Sequence, residues 1–240
     1  MTRVKICGIT TLSDARLAVE LGAWAIGLNF HAPSPRACTV EVAEVIGAGL
    51  RRELELAGVF VNAPLDDLAA IAERCSLSLL QLHGDEGPAY CREAARRTGC
   101  RVIKAARVSS AASIRALRPF SVDYHLLDAH RPGTRGGTGE PFDWGLADGH
   151  RGSIPVIVAG GLTPDNVGEA IAATSPFGVD TASGTEAGPG HKDPARLRAF
   201  FRAVDASATA PAPPTPAPLP RESSVNIVSI ADGLSTETHP

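Results

Sequence analysis

Short apolar runs of β character recur eight times before residue 182, and most are followed by a stretch with apolar residues at helical spacing. The runs are Val4–Cys7, Ala25–Phe30, Leu56–Val61, Ser78–His83, Arg101–Ala105, Tyr124–Asp128, Pro155–Ala159 and Gly178–Thr181. Segments such as V-I-V-A and L-L-Q-L are almost continuously apolar, as expected of strands covered on both faces. The helix-like segments are Ser13–Leu21, Val40–Gly47, Leu65–Arg74, Pro88–Arg97, Ser110–Leu117, Pro164–Ala173 and Pro194–Val204. Gly22 supplies a C-terminal stop, and Thr163-Pro164 and Asp193-Pro194 each place a capping side chain before a proline suited to the first helical turn. Strands alternating with helices predict a parallel α/β protein. The count of eight and the even spacing favour a closed (β/α)8 TIM barrel over an open doubly wound sheet.

The barrel is expected over residues 1–204. From Asp205 the composition changes to A-T-A-P-A-P-P-T-P-A-P-L-P, which cannot bury enough apolar surface to fold, so 205–240 is expected to be a disordered tail. Within that tail Asn226–Ile230 could form a weak strand or docking peptide. A formal net charge of −3 gives no electrostatic case for nucleic acid or an anionic membrane surface. No apolar stretch approaches the roughly 20 residues of a membrane span. The chain enters its first strand at Arg3 with no signal-peptide pattern, and its five scattered cysteines form no C-x-x-C pair, so neither zinc nor a disulfide framework is suggested. A cytoplasmic setting is expected.

Strand periodicity sorts the polar side chains. Lys5 and Cys7 share one face of the first strand, Gln81 and His83 one face of the fourth, and Tyr124, Leu126 and Asp128 one face of the sixth. Each polar set should point into the barrel or to its mouth. Cys7 and Asp128 close their strands and so meet on one rim, the layout of a base and an acid for proton transfer. A basic Cys7 requires a lowered thiol pKa, for which Lys5 is a source of positive charge; the alternatives are an inert buried cysteine and an Asp128 that merely caps. Three glycine turns, Gly136-Gly137-Thr138-Gly139, Gly160-Gly161 and Ser183-Gly184, follow the last three strands. Glycine lets backbone N–H groups approach an anion, and the loops after the last two strands of a barrel commonly hold phosphate, so a small phosphorylated substrate is expected. Arg36, in Ser34-Pro35-Arg36, offers a planar fork for a carboxylate or is a solvated loop charge. His83, in H-G-D-E, is a candidate substrate-binding residue or simply a satisfied polar residue at the rim.

The segments K-I-C-G-I-T (Lys5–Thr10), S-P-R (Ser34–Arg36), G-V-F-V-N (Gly58–Asn62), L-Q-L-H-G-D-E (Leu80–Glu86), L-L-D (Leu126–Asp128), G-G-T-G-E-P-F-D-W (Gly136–Trp144), A-G-G-L-T-P-D-N-V (Ala159–Val167), G-V-D-T-A-S-G-T-E (Gly178–Glu186) and P-G-H-K-D (Pro189–Asp193) stand in the order found in phosphoribosylanthranilate isomerases. The chain resembles that family of the tryptophan pathway from residue 3 to residue 204. The resemblance implies a (β/α)8 barrel and an Amadori rearrangement of an aminoaldose to an aminoketose without metal or organic cofactor. It implies that Asp128 is the general acid, Cys7 the base, and Arg36 the partner of the anthranilate carboxylate. Backbone groups around Gly137, Gly160, Gly161, Ser183 and Gly184 would hold the phosphate, and Asp180 would face the substrate amine. Ala182 departs from the family, which usually has a serine there. A monomer or homodimer is expected. Another phosphate-binding barrel isomerase or epimerase, or a catalytically silent binding barrel, are the other readings; Cys7 and Arg36 argue against the first, and the presence of both Cys7 and Asp128 against the second.

Overall fold

The alternation of strand and helix signals closes on itself. The computed structural model describes residues 1–128, 150 and 152–209. Its strands β1 (Arg3–Cys7), β2 (Ala25–Asn29), β3 (Glu55–Phe60), β4 (Leu79–Leu82), β5 (Arg101–Arg107), β6 (Tyr124–Asp128), β7 (Val156–Ala159) and β8 (Gly178–Thr181) pair in parallel in sequence order, and β1 pairs with β8 to complete a barrel. The helices α1 (Leu12–Glu20), α2 (Val40–Leu50), α3 (Leu65–Arg74), α4 (Pro88–Thr98), α5 (Ala111–Arg115), α6 (Val167–Thr174) and α7 (Pro194–Thr209) lie between and after them. Thr11 and Thr39 cap α1 and α2 through their hydroxyls, and Asp193 caps α7 by accepting from the N–H groups of Ala195 and Arg196. Beyond β8 comes a short antiparallel hairpin, β9 (Glu186–Gly188) and β10 (His191–Lys192), turned at Pro189-Gly190.

The expected strands are all present, with ends shifted by a residue or two. The sixth helix is a correction. Thr163-Pro164 does not open it; these residues form a turn in which the Asn166 amide oxygen accepts from the Thr163 N–H, and Asn166 itself precedes the helix. A second correction is that α7 runs past Val204 to Thr209. Asp205-Ala206-Ser207-Ala208-Thr209 has no helix breaker, and Pro211 is the first residue that biases its predecessor out of the helix. The remainder of the expected tail, including Asn226–Ile230, lies outside the described residues, as does the glycine-rich stretch 136–139.

Side-chain alternation builds two cores. Residues facing outward from the strands, such as Ile6, Ile26, Leu28, Leu80, Leu82 and Val158, pack against the helices. Those facing inward, Ala25, Ala57, Leu79, Ile103, Ala105, Tyr124, Leu126, Ile157 and Ala159, fill the barrel. At the N-terminal ends of the strands Trp24, Tyr124 and Phe177 meet with ring centroids 5.1–5.4 Å apart and floor it.

One outward residue of β6 carries a pH liability. His125 is buried, and its Nδ1 lies 2.7 Å from Nε2 of His150. Burial, helped by that neighbour, lowers its pKa from 6.5 to about 4. The unfolded chain therefore accepts a proton below pH 6.5 that the folded chain refuses, and stability falls as pH drops toward 4. Urea unfolding at pH 7 and pH 5 should differ by roughly 2 kcal/mol on this account, and the difference should shrink by that amount in His125→Leu. An undiminished difference in the variant would assign the acid sensitivity elsewhere.

Candidate active site

The barrel's C-terminal rim gathers the polar residues that the strands leave pointing inward. Lys5 and Asp180 are lateral neighbours on β1 and β8, and Lys5 Nζ donates to Asp180 Oδ1 at 3.0 Å with both side chains buried. The pair places two charges above the apolar residues that fill the barrel. Burial opposes the charge on Lys5, but Asp180 and the Cys7 sulfur outweigh it, and the lysine pKa is raised. Cys7 sits one turn of the pleat above Lys5. Burial pushes its thiol up, against the opposing pull of Lys5 and then Lys192. This corrects the expectation of a depressed pKa: the cations are present, but desolvation outweighs them and favours the protonated thiol. Gly27 makes room for this group, since a Cβ there would stand 2.7 Å from Cys7 Sγ and 3.0 Å from Lys5 Nζ.

Across the mouth, Asp128 ends β6 and faces His83, which directly follows β4; His83 Nε2 and Asp128 Oδ2 are 3.3 Å apart. The other ring nitrogen, Nδ1, is 3.3 Å from Nε2 of the buried Gln81 amide. Asp128 and His83 are each partly exposed, so the pair opens to the mouth and can pass a proton to a bound group.

Arg36 reaches the rim from the loop after β2. Ser34 shapes that loop: its hydroxyl accepts from Asn29 Nδ2 at 3.0 Å and from the Arg36 N–H at 3.1 Å. The arginine stem lies on Gly8, where a Cβ would come within 2.7 Å of Arg36 Cδ, and Gly8 has φ +74°. Only glycine meets both demands. The guanidinium is not free. Nε and Nη2 both donate to Glu186 at 2.8 Å, which leaves Nη1 and the outer hydrogen of Nη2 for a ligand. Glu186 on β9 is a site residue that the sequence reading missed, as is Lys192 on β10, whose ammonium also binds Glu186 at 3.1 Å.

The turns after β7 and β8, the candidate anion site, meet at the same rim. Gly160 and Gly161 take φ of +99° and +67° in succession. Ser183–Thr185 form a single 3₁₀ turn. The two turns press together so closely that a Cβ at Gly184 would stand 1.9 Å from the Leu162 carbonyl oxygen, and Thr181 Oγ1 donates to that same oxygen at 2.8 Å. Gly160, Gly161, Ser183 and Gly184 are thus brought to one place; Gly137 lies outside the described residues. Gly184→Ala must move one backbone segment off the other. It should raise KM for a phosphorylated substrate by about tenfold or more, the scale of losing a charged hydrogen bond, with a smaller change in kcat. Steady-state kinetics showing unchanged KM would remove this turn from the binding site.

The model of N-(5'phosphoribosyl)anthranilate (PRA) isomerase matches residues 4–203. The chain is 48 % identical over 206 residues to N-(5'-phosphoribosyl)anthranilate isomerase of Geobacter metallireducens, covering 86 % of this chain and 100 % of that protein. It is 50 % identical over 202 residues to the enzyme of that name from Geobacter sulfurreducens, covering 84 % and 98 %. Among solved structures, phosphoribosyl anthranilate isomerase from Thermotoga maritima superposes with a TM-score of 0.77 at 40 % identity, covering 86 % of this chain and all of that one. A phosphoribosyl anthranilate isomerase in complex with reduced 1-(o-carboxyphenylamino)-1-deoxyribulose 5-phosphate does so with 0.74 at 38 %, covering 86 % and 100 %. A closed parallel barrel, a cysteine and an aspartate at opposed strand ends, and these likenesses over nearly the whole described chain lead to one assignment: the chain belongs to the phosphoribosylanthranilate isomerase family.

Proposed function

We propose that this chain converts N-(5'-phosphoribosyl)anthranilate to 1-(2-carboxyphenylamino)-1-deoxyribulose 5-phosphate in tryptophan biosynthesis, with Asp128 as acid and Cys7 as base. The observation that supports it most is the opposition of the two groups: Asp128 beside His83 on one side of the mouth and Cys7 above the Lys5–Asp180 pair on the other. Asp128 gives a proton to the furanose ring oxygen, the C1–O bond breaks, and the nitrogen lone pair forms the iminium. Cys7 takes the proton from C2, and those electrons neutralise the iminium to give an enolamine. A proton delivered to C1 and loss of the 2-hydroxyl proton yield the ketone, and the two transfers restore the protonation of Cys7 and Asp128. The reaction is a net proton rearrangement, so electrons balance within the substrate. A neutral resting thiol must lose its proton before it can act; Lys5 and Lys192, both cations near Cys7, favour the thiolate.

The glycine turns after β7 and β8 hold the phosphate, Asp180 faces the amine, and Arg36 meets the carboxylate with the edge Glu186 leaves open. Cytoplasmic location and a monomer or homodimer complete the reading. Purified protein should consume phosphoribosylanthranilate, followed as loss of its fluorescence; no consumption would defeat the proposal. Arg36→Lys keeps the charge but loses the fork to Glu186 and to substrate together. It should lower kcat/KM by about 1.5–3 kcal/mol. Unchanged kcat and KM in Arg36→Met would remove the carboxylate role.

A further inference from the structure

We infer that Lys192 is a positioning residue for this reaction, holding the strand end of the base, the anion-binding turn and Arg36 in one frame. The inference rests on the roles given above to Cys7 and Arg36. Lys192 lies on β10, outside the barrel strands, yet its side chain is fully buried. Its ammonium has three acceptors: the carbonyl oxygen of Cys7 at 2.7 Å, the carbonyl oxygen of Ala182 at 3.0 Å and Glu186 Oε1 at 3.1 Å. Three donors meet three acceptors, so the buried charge is fully satisfied.

The identity of the acceptors carries the argument. One belongs to the residue that bears the base. The second belongs to the residue directly before Ser183-Gly184. The third is the carboxylate that grips Arg36 through two nitrogens. A single cation therefore touches the supports of three substrate-facing groups that come from β1, the loop after β8 and the loop after β2. The hairpin that presents it is itself seated on the first βα loop and α1. Thr10 Oγ1 donates to the Gly190 carbonyl, and the Lys192 N–H donates to Asp14 Oδ2 at 3.2 Å. Packing alone does not call for such a lysine, because a buried charge is costly and apolar residues of equal volume often stabilise as well. The ammonium also acts electrostatically on the Cys7 thiol, in the same sense as Lys5, with Asp180 opposing both.

The test uses the whole chain and two readouts that a merely structural residue would not move. The first is a double-mutant cycle on kcat/KM with Lys192→Met, Arg36→Met and both together. The combined loss should fall short of the product of the single losses by at least about tenfold, as for residues in one network. The second is the pH dependence of Cys7 alkylation by iodoacetamide in the native protein, whose other four cysteines are buried. The midpoint should move to higher pH in Lys192→Met and return in Lys192→Arg. Should Lys192→Met not fold, Lys192→Gln, which keeps two donors, replaces it in both measurements. Multiplicative losses overturn the inference, and so does an unmoved alkylation midpoint. If Arg36→Met alone leaves kcat/KM intact, the carboxylate assignment fails and takes the inference with it, an outcome distinct from a damaged Arg36→Met with multiplicative losses.

Discussion

Asp128→Asn and Cys7→Ala are each expected to cut kcat by at least about 10²-fold, the usual scale for loss of a general acid or base. Asparagine keeps the shape of Asp128 but cannot release a proton to the ring oxygen. Alanine at position 7 leaves nothing to take the C2 proton. The fold should survive both changes. The Asp128 side chain is 18 % exposed at the rim and asparagine keeps its volume, while Cys7→Ala removes a single side-chain heavy atom. Measured kcat for either variant within a few-fold of the parent, with an unchanged Tm, would mean that the residue is a bystander.

Glu86→Ala should be strongly destabilising. Glu86 and Lys104 form an ion pair at 2.8 Å with side chains 1 % and 6 % exposed. Glu86 also accepts from the Asn62 N–H at 2.8 Å and the Gly84 N–H at 2.9 Å, tying the loop after β3 to the loop after β4. Lys104 in turn donates to the Gly84 carbonyl at 2.7 Å. Removing the carboxylate leaves a buried ammonium without its counter-charge and two N–H groups without their acceptor. Breaking such a pair costs about 3–5 kcal/mol, equivalent to a Tm lower by roughly 10 °C in a chain of this size. His83 immediately precedes this clamp, so part of the effect should appear in kcat. Replacing both partners, as Glu86→Leu with Lys104→Met, should recover much of the stability. Thermal unfolding of Glu86→Ala within a degree or two of the parent would show that the pair contributes nothing net.

The barrel and half of its site are legible in the sequence because strand alternation is a strict rule. Lys5 and Gln81 are polar residues that alternation places on an inward face, and the structure buries both inside the barrel; Asp180, which only the resemblance pointed to, is buried there too. Cys7 and Asp128 sit where their strands end, and strand ends at one rim converge by topology. Other features depend on contacts distant in sequence. Arg36 and Glu186 are 150 residues apart, and nothing local to either announces the other. Lys104 looks like a solvated charge on the outward face of β5, and only the packing of the Glu86 loop over it reveals a buried pair. The β9–β10 hairpin is too short to show periodicity; its turn, Gly188-Pro189-Gly190, is the only local sign of it. The sign of the Cys7 shift was also out of reach, because it is set by desolvation, a property of the finished cavity.

The Lys5–Asp180 contact joins residues separated by 175 positions across the seam between the first and last barrel strands. During synthesis β1 leaves the ribosome first and waits for nearly the entire barrel to follow before its neighbour exists. The electrostatic setting of Cys7 is consequently among the last things the nascent chain acquires, and contacts this distant make for slow closure. A fragment ending before Gly178 carries Cys7 and Lys5 but none of the carboxylate that orders the lysine.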